Sequence, residues 1–118
     1  MSEPIVEVRD YTINADDFPA YCAWARDLAE PWLRENLDLV GFWLDTGDEA
    51  QVTGVDPHVS KHGQANVHWI LRWDSREARE ARWQTWTQEP GWQSIWAQHP
   101  NPAAYIQMNV RFMSTVGG

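Results

Sequence analysis

A chain of 118 residues is one domain on size, large enough to bury most of its apolar surface without disulfides or a structural metal. With 13% aromatic and 22% charged residues the composition is globular rather than disordered. A formal charge of −8 repels a phosphate backbone and an anionic bilayer alike, which argues against nucleic acid and membrane as partners.

Cys22 is the only cysteine and cannot form an internal disulfide; it reads as a small buried residue on a helix. The N-terminal MSEPIVEV has neither a basic start nor a long apolar run, and no stretch approaches the roughly 20 apolar residues that span a bilayer. The expectation is a soluble, cytoplasmic protein.

Ile5 to Ile13 alternates, with Ile5, Glu7, Arg9, Tyr11 and Ile13 on one side and Val6, Val8, Asp10 and Thr12 on the other. One side therefore carries an acid, a base and a phenol in a row. Asn14 or Asp16 can accept from the free N–H groups of a helix starting near Asp16, with Pro19 tolerated in its first turn. Phe18, Tyr21, Cys22, Ala25, Leu28, Ala29, Trp32 and Leu33 then recur at three- and four-residue spacing, an apolar stripe reaching about Asn36. Pro31 falls inside that stripe and is expected to kink or split the helix, at a cost of about 3 kcal/mol. Leu39 to Asp45 is an apolar run of strand length, in which Gly41 marks a bulge or a close backbone approach.

From Thr46 to Gln64 the chain is polar, Gly-rich and without a period, a long loop holding at most a brief strand at Gln51 to Val55. Asn66 to Trp73 is the next strand. Ser75 caps a second helix reaching about Gln88, with Ala78 where a full capping box would need Glu or Gln. Glu89-Pro90-Gly91-Trp92 breaks that helix and restarts a shorter one through Gln98, and Tyr105 to Met113 alternates as the last strand. Five of the nine tryptophans fall between Trp69 and Trp92, so the core is expected where this third strand meets its helix. The order strand, helix, strand, strand, helix, strand predicts an α+β, ferredoxin-like split βαβ domain over residues 1–118. Two helices cover one face of a four-stranded antiparallel sheet. The bare face predicts a homodimer packed sheet to sheet.

The segments Glu7-Val8-Arg9-Asp10-Tyr11-Thr12-Ile13, Gly41-Phe42-Trp43, Arg72-Trp73-Asp74-Ser75 and Glu89-Pro90-Gly91-Trp92-Gln93 resemble, in this order, those of the NIPSNAP family within the dimeric α/β-barrel group. The resemblance covers nearly the whole chain apart from the long loop at about 46–64, and it implies the dimeric barrel fold. The family's usual His stands as Trp69 here, and His68 points to the other side of the strand. For function the resemblance implies no single reaction. Within the barrel group it implies oxidation of a phenol by oxygen, or isomerisation or cyclisation of a polyketide-like substrate, as the natural enzyme types.

Glu7, Arg9 and Tyr11 are the first candidate catalytic residues, expected to project into the cavity between the two sheets of a dimer. There Arg9 could hold an enolate or carboxylate oxygen, Glu7 accept a proton and Tyr11 donate one. The alternative is a buried Glu–Arg pair that fixes register. Trp43, Trp69 and Trp73 are expected to line the same cavity and to stack on an aromatic ligand, with plain core packing as the alternative. His68 is either a partly buried imidazole or a further ligand contact. His58 and His62, with Asp56, stand in the long loop at a spacing that zinc sites use on helices; a lid supplying one of them as general base fits better than a metal, and a solvated loop is the plain reading. No flavin, nicotinamide or phosphate motif is present and no histidine stands on a face suited to haem, so no cofactor and no metal are expected. The leading expectation is a protein that binds a small apolar or aromatic molecule between sheet and helices, extended to cofactor-independent chemistry. A non-catalytic interaction module is the alternative.

Overall fold

In the computed structural model, which describes residues 3–117, β1 (Ile5–Ile13) leads into a continuous helical run. That run consists of α1 (Phe18–Trp24), a π turn (Ala25–Ala29) and α2 (Glu30–Asn36). β2 (Leu39–Leu44), β3 (Val67–Trp73), α3 (Arg76–Trp86), α4 (Pro90–Trp96) and β4 (Tyr105–Met113) follow. The strands form one antiparallel sheet in the order β2-β3-β1-β4, the ferredoxin-like arrangement. Because β1 and β3 lie in the middle, their alternating side chains decide what each face can hold.

One face is covered by the helices. Tyr11 and Ile13 of β1 and Val67, Trp69, Leu71 and Trp73 of β3 are buried against Tyr21, Trp24, Ala25, Ala29 and Leu33 of the first helical run. Complete burial of a side chain such as Leu33 or Leu71 stabilises by about 1.5–3 kcal/mol. Ala25 and Ala29 keep the helix close to the sheet, since neither has atoms beyond Cβ to hold it off.

Pro31 does not split the helix. The preceding turn widens instead: the Glu30 N–H donates to the Ala25 carbonyl five residues back, and the apolar stripe carries on through Leu33. A π turn takes up one extra residue where a proline lacks its own donor and needs room for its ring, which is why the expected break is absent. Asn14 supplies the helix-start acceptor, its Oδ1 receiving the Asp17 N–H at 2.9 Å. Ser75 caps α3, receiving the Ala78 N–H at 3.0 Å.

The connection between β2 and β3 forms no strand at 51–55. It is closed at its base by the Asp45 N–H donating to the Asn66 carbonyl at 2.9 Å. Asn66 also grips β1: its amide receives the Ile13 N–H at 2.9 Å and donates to the Ile13 carbonyl at 2.8 Å, imitating one more rung of strand pairing. The register of β2 on β3 shifts between Leu39 and Gly41. The Trp43 ring then folds back over Gly41, where an added Cβ would lie 2.4 Å from the indole, so glycine serves both as bulge and as close approach.

Candidate functional site

The odd-numbered side chains of β1 turn toward the helices, and Glu7 among them is wholly buried. Its Oε2 receives Arg9 Nη1 at 2.5 Å and Arg79 Nη2 at 3.1 Å; its Oε1 receives Arg79 Nε at 2.8 Å and the Trp73 indole N–H at 3.0 Å. Four donors thus occupy both carboxylate oxygens, two of them from the fork of Arg79. The bonds to Glu7 hold the Arg79 guanidinium more firmly protonated than usual. Arg9 passes its other edge on, donating from Nε to the Tyr11 hydroxyl at 2.6 Å. The Arg9 guanidinium lies 5.3 Å from the Trp69 ring centre and 4.7 Å from that of Trp83, which also carries Arg79 at 4.2 Å. Arg79 also donates from Nη1 to Glu80 Oε1 at 3.1 Å, so Glu7 is the carboxylate of Arg9 and shares Arg79 with Glu80.

Beyond Tyr11 lies a small chamber of about 80 Å³ between sheet and helices. Tyr11, Trp69, Phe42 and Tyr105 form its sheet side, and Trp92 and Trp96 close it from α4. The surfaces are aromatic except for a few polar atoms. The Trp69 indole N–H is buried and meets no acceptor within hydrogen-bond geometry, although it leans toward the Tyr11 hydroxyl. An unmet buried donor costs roughly 1–3 kcal/mol, so a group placed to accept from it would recover that energy. Burial raises the Tyr11 phenol pKa against the opposing pull of Arg9, and burial raises those of Tyr21 and Tyr105 as well. All three are neutral phenols near pH 7, suited to donating a hydrogen bond rather than to taking a proton.

His99 buttresses the far side. Its Nδ1 accepts the Asn101 N–H at 3.0 Å, so the neutral ring carries its proton on Nε2, which donates to the Tyr105 oxygen at 2.8 Å. The ring is buried against Trp24 and Trp96, and that burial lowers its pKa and keeps it neutral.

The first-strand trio therefore does come together with Trp69 and Trp73. It faces the helices of its own chain, though, and not a space between two sheets, because β1's odd residues share the face that the helical stripe covers. Trp69 lines the chamber, and Trp73 holds Glu7. Trp43 does not join them. The β2–β3 register pairs Phe42 with Trp69 and Trp43 with His68, so Phe42 takes the place expected for Trp43, which lies half-exposed on the open face. His68 is on that open face too, its Nδ1 against Asp10. His58 and His62 are exposed in a non-helical segment, so they do not share a helix face, and His58 stands over the open side of the sheet rather than at the chamber.

Arg79, Tyr105, His99 and Trp96 are the residues that sequence reasoning left out of the site. Arg79 had one signal: a wholly inward Glu beside a single Arg on its own strand leaves half its acceptors for another donor. Arg79 stacks on Trp83, and Arg82 pairs with Glu89 at 2.8 Å. Tyr105 and His99 carried no local signal, because their pairing joins the end of α4 to β4.

The sheet order, the helices on one face and an aromatic chamber between the two layers define a ferredoxin-like α+β domain. No family model and no curated protein matches the chain. Among solved structures it is similar to a NIPSNAP family protein of Agrobacterium tumefaciens, with 18% identity and a TM-score of 0.68 over 100% of this chain and 91% of that one. It is likewise similar to a NIPSNAP-like domain protein of Burkholderia xenovorans, with 16% identity and a TM-score of 0.69 over 99% and 89%. A Bacteroides thetaiotaomicron protein assigned to the antibiotic biosynthesis monooxygenases follows at 9% identity and a TM-score of 0.56, over 97% and 90%. The chain has the NIPSNAP fold. Among the described residues no helix is long and apolar enough to cross a membrane.

Glu7→Gln keeps the shape of the side chain but leaves Arg9 without its counter-charge and Arg79 with Glu80 alone. Urea denaturation is expected to show a loss of about 3–5 kcal/mol; an unchanged midpoint would show that the carboxylate is not the anchor. His99 gives a pH signature. Its folded pKa lies below its unfolded value of about 6.5, so the unfolded chain binds the proton more tightly, and stability is complete above that value and falls as pH drops through it. The urea midpoint should decline between about pH 6.5 and 5 in the wild type and less in His99→Gln. Asp17, whose carboxylate is held down by hydrogen bonds from Asn101 and Asn14, acts only at lower pH.

Proposed function

We propose that the chamber between sheet and helices binds a small aromatic or apolar molecule bearing one oxygen acceptor, and that the Trp69 N–H and the Tyr11 hydroxyl donate to that oxygen. The observation that carries this reading is the buried Trp69 donor with no acceptor, set beside a phenol whose own oxygen is already engaged by Arg9. About 80 Å³ is below the roughly 150 Å³ that accommodates a benzene ring. An apolar hollow of about 470 Å³ adjoins α4, and Trp92 and Trp96 line both spaces. A shift of the partly exposed Trp96 joins them and admits a ligand of one or more rings.

The chemistry we propose for this arrangement is cofactor-independent. Tyr11 hydrogen-bonds the ligand oxygen, Arg9 stabilises negative charge growing there, and Glu7 with Arg79 positions Arg9. This suits isomerisation or cyclisation in which water or the substrate itself carries the proton, and oxygenation of an electron-rich phenol by molecular oxygen. The shared fold with a protein assigned to the antibiotic biosynthesis monooxygenases supports the last of these.

Copies of the chain are proposed to pair through the open sheet face. Val6, Ile70 and Met113 form its apolar end by strand register, with the half-exposed Trp43 beside them on β2. A homodimer would remove that surface from water.

Titration with 1-naphthol and naphthoquinols is expected to quench tryptophan fluorescence saturably. Tyr11→Phe and Trp69→Phe should each weaken binding up to about tenfold, the size of one lost hydrogen bond. Equal affinity in both variants, or no saturable quenching by any of these ligands, rejects the site. Light scattering at micromolar concentration should give twice the 13.7 kDa chain mass; the mass of one chain rejects the pairing.

A further inference from the structure

The open face of the sheet has a polar half as well. Strand register places Asp10, Thr12, His68, Gln107 and Asn109 together at the end where the β2–β3 connection returns, and residues 58–65 of that connection wall them in. The half-open hollow they form is about 440 Å³, within the roughly 300–1,000 Å³ of small-molecule sites. Its wall is held in place from both sides. Asn66 pins the connection to Ile13, and Gly63, at φ +84°, turns the chain so that its N–H reaches the Ser60 carbonyl at 2.9 Å.

Two imidazoles face this cavity, each with one nitrogen on a carboxylate. His68 Nδ1 contacts Asp10, and His58 Nε2 lies 3.0 Å from Asp56. The other Asp10 oxygen receives Arg111 at 2.7 Å, so the only carboxylate in the lining is already paired. No lysine or arginine lines the space. Among the described residues the side chains of Thr12, Gln64, Gln107 and Asn109 engage in no hydrogen bond. Every one of them can both donate and accept, each imidazole has one ring nitrogen left over, and the ligand group that answers such a set is a hydroxyl, which does both as well. The Trp43 ring, 5.6 Å from that of His68, folds over Gly41 and stays outside the lining.

We propose that this cavity is a second binding site, separate from the aromatic chamber, for a neutral polyhydroxylated ring such as a monosaccharide or cyclitol. Its amides, hydroxyls and imidazoles bond the hydroxyl groups of the ring. The site stands on the opposite face from Tyr11 and Trp69, so it does not depend on what the chamber binds.

The test uses the full chain labelled with ¹³C in its histidine rings and titrated with D-glucose, D-galactose and myo-inositol. His68 and His58 resonances should shift saturably with at least one of them, while those of His99 stay still. Gln107→Leu combined with Asn109→Leu, both at exposed positions on β4, should weaken that binding at least tenfold with the fold intact by circular dichroism. The absence of a saturable shift with all three probes overturns the proposal. So does equal affinity in the double variant, or a response to inorganic phosphate in place of the sugars.

Discussion

The buried carboxylate of Glu7 is the constraint on which the helix-facing side of this sheet depends. It joins β1 to β3 through the Trp73 indole and to α3 through the fork of Arg79, and it holds Arg9 against Tyr11. A buried ion pair often contributes no more to stability than apolar residues of the same volume would, because each charge loses its hydration. What this one provides is position. With Glu7 saturated, Arg9 has one available edge for Tyr11, and the phenol's oxygen is thereby engaged as an acceptor while its proton stays available to donate. The same fixing leaves Trp69, on the neighbouring strand, with a donor and no acceptor.

The tryptophans explain how so small a chain encloses polar atoms at all. Trp24, Trp92, Trp96 and His99 meet ring to ring at the end of the helical layer, and Trp32, Trp83, Trp86 and Trp92 do so along its middle. Most of these contacts are edge-to-face or tilted, the arrangement that the ring quadrupole favours. Large flat side chains at these angles fill the layer but leave wedge-shaped gaps where their faces diverge. The chamber bounded by Trp92 and Trp96 is one such gap, and its shape follows from the packing of rings rather than from any loop.

Much of this was legible because the physics is local. β1 and β4 alternate apart from a register shift where Ile13 meets Tyr105, and both have the limits that alternation predicts. Ser75 is followed by a clean helix start, and the order of elements permits little besides a four-stranded sheet with helices on one side. The face of Trp43 was not legible. LVGFWL is apolar at almost every position, so periodicity cannot say which side of β2 points inward, and the register shift between Leu39 and Gly41 decides it. The π turn before Pro31 was hidden for a related reason: a proline inside a stripe reports that one hydrogen bond is missing, not how the backbone accommodates the loss. His58 and His62 lie where the chain has no period at all. The place of His58 over the open face is set by Asn66 gripping Ile13, a contact across 53 residues that leaves no trace in local pattern.

Two polar cross-links hold β1 to β3, one on each face: Glu7 with Trp73 under the helices, and Asp10 with His68 on the open side. Sliding either strand by one residue would exchange the faces of every side chain on it. Val6 and Val8 would then meet the guanidinium of Arg79 without a carboxylate, while Glu7 and Arg9 would stand on the open face with the aromatic layer facing the wrong residues. Both cross-links would break in the same step, because Glu7 and Asp10 sit an odd number of residues apart and so report on opposite faces of one strand. Alternation alone offers the two faces only a difference in hydropathy, and β1 carries apolar residues on both. The charged pairs supply the missing discrimination, so the features that build the chamber on one side and the polar cavity on the other are also those that select a single register for the sheet.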